Sequence, residues 1–543
     1  MMLISCFRKS FGMLLILGLL LLPPSCVTTK DVKTADKKIP LATYSTKDMP
    51  APVEIKPKTP QTVNIPEKGP LKITVEDAIL IALENNRSLV VERLNPSIRQ
   101  TFEDQERAVF DPTVEAEVSA RRNDSKSLNQ SGSYTESSVN DVYQGSISFK
   151  EFFPTGTFVE AGAITNTTDS NLYNDPFSST RLGLSVTQSL LRGYGTDVNL
   201  ARLRQSQLET EITQYELRGF SESLVAQVET TYWDYALSQR QIEIVEESLK
   251  LAKQQIAETE EMIQVGAMAE AELPAVQAEV AAQQQGLINA RSTMESTRLR
   301  LLNPPGQTLW YRDVTLVHPP TLPEIKLDKV EAHVALAIRM LPVINQAKLN
   351  IQLEDLEVVR TKNGLLPRMD LFITLGKTGY SDSFSGSVSD ITGDSYDAMA
   401  GLNFEYPILN RDARAQHRRA ILRQDQAEMA LDNLKQLVDL DVRNAYIEVN
   451  RTKEQISASS ATRKFDEEKL RIETEKFRVG KSTNFLVAQA QRDLLISRIA
   501  EVQALANYLK ALIDLYRLDG SLLVRRGISA PGSDPVEYST KNN

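Results

Sequence analysis

The chain is built twice. The segment VEDAILIALENNRSL from Val75 aligns without gaps on VEAHVALAIRMLPVI from Val330, an offset of 255 residues. The same offset places VFDPTVEAEV on GLLPRMDLFI and matches Pro112 with Pro367. Further on the offset falls to 214, pairing TTYWDYALSQ from Thr230 with NAYIEVNRTK from Asn444, and Gly266 with Gly480. The first copy therefore carries about 41 extra residues between the two anchors. Such a repeat constrains the fold more than any local motif, because both copies must form the same unit.

Each copy reads as short helix, helix, extended region, very long helix, Val-Gly turn, helix. The long helices are expected over Val198–Gln264 and Arg411–Arg478, each roughly 67 residues or about 100 Å. Ile or Leu falls every seventh residue at Ile242, Leu249, Ile256 and Ile263, which predicts supercoiling against partner helices. Gln, Glu, Lys and Arg dominate the other faces, including the stretch AAQQQG from Ala281. One narrow apolar seam with wide polar faces suits a coiled-coil wall wetted on both sides. The helices stop at Val265-Gly266 and Val479-Gly480, where a left-handed glycine can end a helix. Ser482, Thr483 or Asn484 is expected to cap the helix that follows, and Pro274 fits an early helical turn.

The extended regions alternate with period two. Val114, Ala116, Val118 and Ala120 share one face, with Glu115, Glu117 and Ser119 on the other. Tyr143, Ile147 and Phe149 alternate with Gln144, Ser146 and Ser148, and RLGLSVTQ repeats the pattern at Leu182, Leu184 and Val186. The second copy offers Met369, Leu371, Ile373 and Leu375, then Leu402 and Phe404. The first copy also holds an insertion, KEFFPTGTFVEAGAITNTTDS, with a PTG turn and a further alternating stretch. Up to six strands are expected. This pattern fits a membrane β-barrel or a soluble sheet with one wet face. No segment after the N-terminal leader offers 18 consecutive apolar residues, so any membrane-crossing part must be made of strands.

Arg8 and Lys9 precede the apolar run Phe11–Leu22, which fits a secretory signal. LLPPSC then ends at Cys26 after the small residue Ser25, and resembles a bacterial lipoprotein signal. Pro23 and Pro24 depart from the usual box, so cleavage nearby with an unmodified Cys26 is the alternative. The other cysteine, Cys6, lies inside the signal, which leaves no internal disulfide. The expected organisation is a signal peptide over 1–25, a lipidated flexible tether over 26–70, a first repeat over 71–305, and a linker over 306–326. A second repeat over 327–520 and a disordered tail over 521–543 complete it.

No catalytic constellation is visible, so no enzyme activity or cofactor is expected. His318, His333 and His417 lack metal-ligand spacing, and His333 reads as a packing or capping residue. RGYG at Arg192 lacks the Lys-Ser/Thr of a phosphate loop, and its glycines read as turning strand into helix. RDARAQHRR from Arg411 is basic, but it opens a helix in an acidic protein and reads as a solvated face or subunit contact rather than an anion site; with a net charge of −9, no basic surface points to a nucleic-acid partner.

Over roughly residues 71 to 520 the chain resembles the outer membrane efflux protein (TolC-like) family. The resemblance rests on the duplicated plan, the FRVGKSTNFLVAQAQ turn, LSVTQSLLRGYG, LNFEYPILN and the closing LIDLYRLDG. It implies a mainly α fold with a transmembrane β-barrel portion, built as a homotrimer with a helical periplasmic tunnel. It further implies a passive, lipid-anchored outer-membrane channel that serves an inner membrane pump through a periplasmic adaptor. Cargo stays open among drugs, metals and secreted proteins. The family usually supplies four strands per protomer, so the inserted hairpin either enlarges the barrel or extends beyond it. Val265, Gly266, Val479, Gly480, Ser482 and Thr483 would lie at the periplasmic tips. Where the family's type member has gate acids, this chain has Leu486 and Gln489, and Glu270 and Glu272 are the candidate substitutes. A periplasmic coiled-coil spacer lipoprotein and an exported hydrolase are the alternatives. The first leaves the strands unexplained, and the second lacks a nucleophile or metal cluster.

Overall fold

The computed structural model describes residues 71–128, 134–170, 175–302, 312–317 and 327–537. Cys26, His318, the signal and the tether lie outside these residues. The order begins with β1 (Leu71–Ile73), α1 (Val75–Asn85), α2 (Arg87–Glu92) and α3 (Asn95–Arg107). Four strands follow: β2 (Thr113–Leu128), β3 (Tyr134–Phe153), β4 (Thr157–Ser170) and β5 (Phe177–Ser189). A short α4 (Thr196–Asn199) leads into α5 (Ala201–Gln264), which turns back as α6 (Leu273–Leu302). After β6 (Val314–Leu316) the second copy supplies α7 (Val330–Met340), α8 (Pro342–Gly364) and β7 (Arg368–Ser381). Then come α9 (Phe384–Ser389), β8 (Tyr396–Glu405), α10 (Arg411–Arg478), α11 (Asn484–Leu518) and α12 (Leu522–Arg525).

Each very long helix does two jobs along its length. Its far half pairs with its own return helix, α5 with α6 and α10 with α11. Its near half packs on α8, which lies against both α5 and α10. The main apolar core sits in this near half, around Ile79, Leu89, Tyr232, Ile344, Ile351 and Leu515. A capping box fixes the start of α1: Asp77 N donates to Thr74 Oγ1 at 3.1 Å, and Thr74 N donates to Asp77 Oδ2 at 3.0 Å.

The far half is held differently from the sequence expectation. The most deeply buried column of α5 is Val245, Ala252 and Thr259, with Ser248 and Gln255 between them. Ile242, Leu249, Ile256 and Ile263 flank that seam and are only half-buried. Small and polar side chains at the seam let backbones approach closely, while the larger apolar residues cover its rim.

Two segments expected to lack structure have it. Within the expected linker, β6 pairs in parallel with β1 from Leu71↔Val314 to Ile73↔Leu316. The segment from Ser521 to Glu537, expected as disordered tail, packs as a strap across α5 and α8. Leu522 and Leu523 are buried in the core. Arg526 forms two hydrogen bonds to Glu229, at 2.6 and 2.5 Å. Arg218 Nη1 donates to the Gly532 carbonyl at 3.3 Å, and the Tyr215 hydroxyl donates to the Asp534 carbonyl. Val536 N donates to Asn345 Oδ1 at 3.0 Å, and Lys348 Nζ donates to the Val536 carbonyl at 3.1 Å.

Candidate functional site

Six strands make one antiparallel sheet in the order β2-β3-β4-β5-β7-β8. The register gives the two faces different chemistry in the middle rows of the sheet. One continuous row reads Val114, Phe149, Ala161, Leu184, Leu375, Ala398. Val114 is 70% exposed, Phe149 41% and Leu184 42%, so this apolar face is uncovered by the chain itself. Glu151 and Lys377 interrupt it, one row to either side. The adjacent row on the opposite face reads Glu115, Ser148, Gly162, Gly183, Gly376, Asp397.

Charges on that second face neutralise one another along the sheet. Lys150 pairs with Glu115. Arg181 reaches from β5 across β7 to Asp397 on β8, with Nε–Oδ1 at 3.1 Å and Nη2–Oδ2 at 2.6 Å. The guanidinium lies flat over two glycines: a Cβ at Gly183 or at Gly376 would sit 2.5 Å from its nitrogens. A face with ion pairs cannot meet lipid, and a broad apolar face cannot stay in water. The six strands of this sheet have 10 to 20 residues, enough to cross a bilayer when tilted. Among the described residues no helix is long and apolar enough to cross a membrane.

At the far end of the helices the two Val-Gly turns have the same geometry. Gly266 and Gly480 both have φ of 73°. Gly266 N donates to Ile263 O at 3.0 Å and Ala267 N to Met262 O at 2.8 Å. Gly480 N donates to Phe477 O at 2.9 Å and Lys481 N to Lys476 O at 2.7 Å. These are the paired bonds of a Schellman ending. Open space surrounds both glycines, so backbone conformation alone selects the residue. Gly480→Ala is expected to cost about 1 kcal/mol locally, seen as about fivefold faster amide hydrogen exchange across 476–481. Unchanged exchange would contradict the strain.

The fold sets the two turns side by side. Asn484 is buried and its Oδ1 accepts from Gln255 Nε2 at 3.0 Å and Thr259 Oγ1 at 3.3 Å, both on α5. The expected capping role is therefore corrected. Thr483 is the N-cap residue of α11 but its side chain makes no cap bond. Ser482 Oγ donates instead to Glu473 Oε2 at 2.8 Å. Asn484 serves cross-hairpin bonds because polar seam residues of α5 face it. Val265, Val479 and Phe485 are the most exposed apolar residues here, at 74%, 67% and 64%. Leu486, Gln489 and Glu270 are exposed too, and Glu272 is half-buried; the two glutamates share a single 3-10 turn that also contains Ala271.

Sequence reading missed a buried polar junction near the strap. His333 Nδ1 lies 2.8 Å from Asp519 Oδ2, and Asp519 Oδ1 accepts from Ser521 N at 2.9 Å. Arg218 Nε donates to Glu222 Oε1 at 3.1 Å, and Nη2 to the Gly520 carbonyl at 3.3 Å. Burial pushes the Glu222 carboxyl from 4.5 up to about 7, against the pull of Arg218. A carboxyl with a raised folded pKa adds stability fully below about 4.5 and loses it as pH rises through about 7. Glu222→Gln should remove that loss, which is on the order of 3 kcal/mol. Thermal midpoints of parent and variant, compared from pH 4.5 to 7.5, check this. Parallel profiles would contradict it. Among the described residues no group of His, Cys, Asp and Glu could hold a metal ion.

An amphipathic sheet joined to long helical hairpins defines an outer-membrane channel protein, with strands for the bilayer and helices for the aqueous side. The outer membrane efflux protein model matches residues 78–306 and 335–521, and the chain belongs to that family. It is thus an outer-membrane channel component of a tripartite efflux or secretion system. Solved structures agree in fold. The outer-membrane channel OprN is 18% identical with a TM-score of 0.62, covering 87% of this chain and 98% of that one. The CmeC channel of Campylobacter jejuni is 16% identical with a TM-score of 0.60, covering 82% and 86%. The open state of the Neisseria gonorrhoeae MtrE channel is 17% identical with a TM-score of 0.58, covering 88% and 98%. No curated protein sequence matches significantly.

Proposed function

We propose that three copies of the chain form one passive conduit from periplasm to exterior. Each copy contributes its strands to a shared barrel and its two helical hairpins to a shared tunnel. The observation that carries this reading is the sheet itself: one face apolar and exposed, the other charged, with β2 and β8 as edges. Open edges at membrane depth leave backbone groups unpaired, so neighbouring copies must close the sheet. A spacer lipoprotein would have no use for that apolar face.

The tips form the periplasmic opening and the docking surface for an adaptor, behind which an inner membrane pump supplies energy. Exposed Val265, Val479 and Leu486 give the adaptor apolar contacts, and Gly266, Gly480, Ser482 and Thr483 shape the turns. Glu270 and Glu272 supply acidic charge at the opening, and Gln489 supplies a neutral polar group. Acylated Cys26 ties the N-terminus to the membrane surface through the tether.

Purified protein in planar bilayers, with its mass measured by native mass spectrometry, tests the reading. A trimer that conducts ions is expected. A monomer that stays soluble after delipidation and conducts nothing would overturn it.

A further inference from the structure

The hairpin β3–β4 contains the residues by which the first repeat exceeds the second. It could project beyond the bilayer, or it could widen the barrel. From its position and chemistry we infer that it consists of two membrane staves, so that three chains close an eighteen-stranded barrel. This rests on the trimeric channel reading above.

Three observations carry it. First, the hairpin lies inside the sheet, between β2 and β5, with β3 bonded to β2 and β4 bonded to β5. Lifting it out of the bilayer would lift β2 with it. Second, its outward residues continue the apolar row of the flanking strands: Phe149 and Ala161 lie between Val114 and Leu184. Ile147 and Ala163 extend the match into the next row. Its inward residues include Ser146, Ser148, Lys150 and Glu160, which suit a wet lumen, while Ile164 and the Phe152–Phe158 pair beside the turn are the apolar residues on that face. A hairpin outside the membrane would have no reason to keep this alternation in register with β2 and β5.

Third, its turn is clasped at the helical end of the sheet by the glycine-rich loop that carries RGYG. Asn199 Nδ2 donates to the carbonyls of Pro154 at 2.9 Å and Gly193 at 2.8 Å. Gly195 N donates to Thr155 O at 3.2 Å and Ser189 N to Gly156 O at 3.0 Å. A Cβ at Gly156 would sit 2.2 Å from the Gly193 carbonyl oxygen, so the two loops interlock. The hairpin's turn thus lies at the helical rim, where β2 starts and β5 ends.

Direction and parity also fit. β2 runs away from the helices and β8 runs back, so β8 of one copy meets β2 of the next antiparallel. Eighteen strands at ordinary spacing and tilt give a backbone diameter of about 36 Å, against about 24 Å for twelve. The area enclosed by the backbone ring grows about 2.3-fold.

Environment-sensitive fluorophores on single cysteines test the inference in liposomes containing nitroxide-labelled lipid. The positions are Ile147→Cys and Ala161→Cys on the hairpin, Ser146→Cys on its inward face, and Leu184→Cys on β5. Parent protein measures any label on Cys26, the one native cysteine outside the leader. Lipid quenching at 147 and 161 is expected to reach at least about half that at 184, with little at 146. Quenching at 184 but not at 147 and 161 would overturn the eighteen-stranded barrel and leave the channel intact. No quenching at 184 would overturn the membrane reading itself, and this inference with it.

Discussion

Leu184→Arg is expected to abolish assembly in the membrane, whereas Ser185→Arg is expected to be tolerated. Leu184 lies mid-row on the exposed apolar face, with Ala161 and Leu375 beside it. An arginine near the bilayer midplane costs about 2–4 kcal/mol, or about 30-fold to nearly a thousandfold per chain, and a trimer carries the cost three times. Ser185 points to the other face, opposite Glu160 and Thr374, where a cation meets water and a carboxylate. The amount of folded trimer in isolated outer membranes reads the difference. Equal loss in both variants, or in neither, would mean that the two faces do not see different solvents.

The second large effect is Arg526→Ala. Glu229 has no exposed surface, and Arg526 is its bidentate partner. Burial already pushes the Glu229 carboxyl up, with Arg526 opposing. Removing the guanidinium leaves a buried carboxylate without its cation, which costs about 3–5 kcal/mol. The low end applies, because Arg526 keeps some contact with solvent. A double variant, Glu229→Met with Arg526→Leu, should recover most of the loss, since an apolar pair carries no desolvation penalty. Thermal unfolding of the detergent-solubilised protein checks both. A single variant as stable as the parent would show that the strap is not fastened by this pair.

What the sequence made legible follows from which forces leave periodic traces. The duplication, the long helices and the alternating strands all write their spacing into the order of apolar residues. The two glycine turns were legible because a left-handed residue at a helix end strongly favours one amino acid. The seam of α5 was displaced because Ser248, Gln255 and Thr259 are buried through close backbone packing and hydrogen bonds, which a hydrophobic pattern does not register. The strap was hidden because Gly532, Asp534 and Val536 are held through backbone carbonyls, and any sequence carries those. β1 and β6 were hidden because three residues are too few to show a period. The helix start at 482–484 was legible, with Thr483 as N-cap, but the side-chain bonds were not, because Asn484 bonds to partners on α5 instead. The inserted hairpin was legible as strands, but its depth in the sheet depended on pairing partners more than 10 residues away.

A transverse section through the membrane region of the trimer in lipid nanodiscs, by electron cryo-microscopy, measures the central claim most directly. Eighteen strands around one lumen, six from each chain, are the expected result. Twelve strands, with residues 140–170 standing outside the ring, would contradict it.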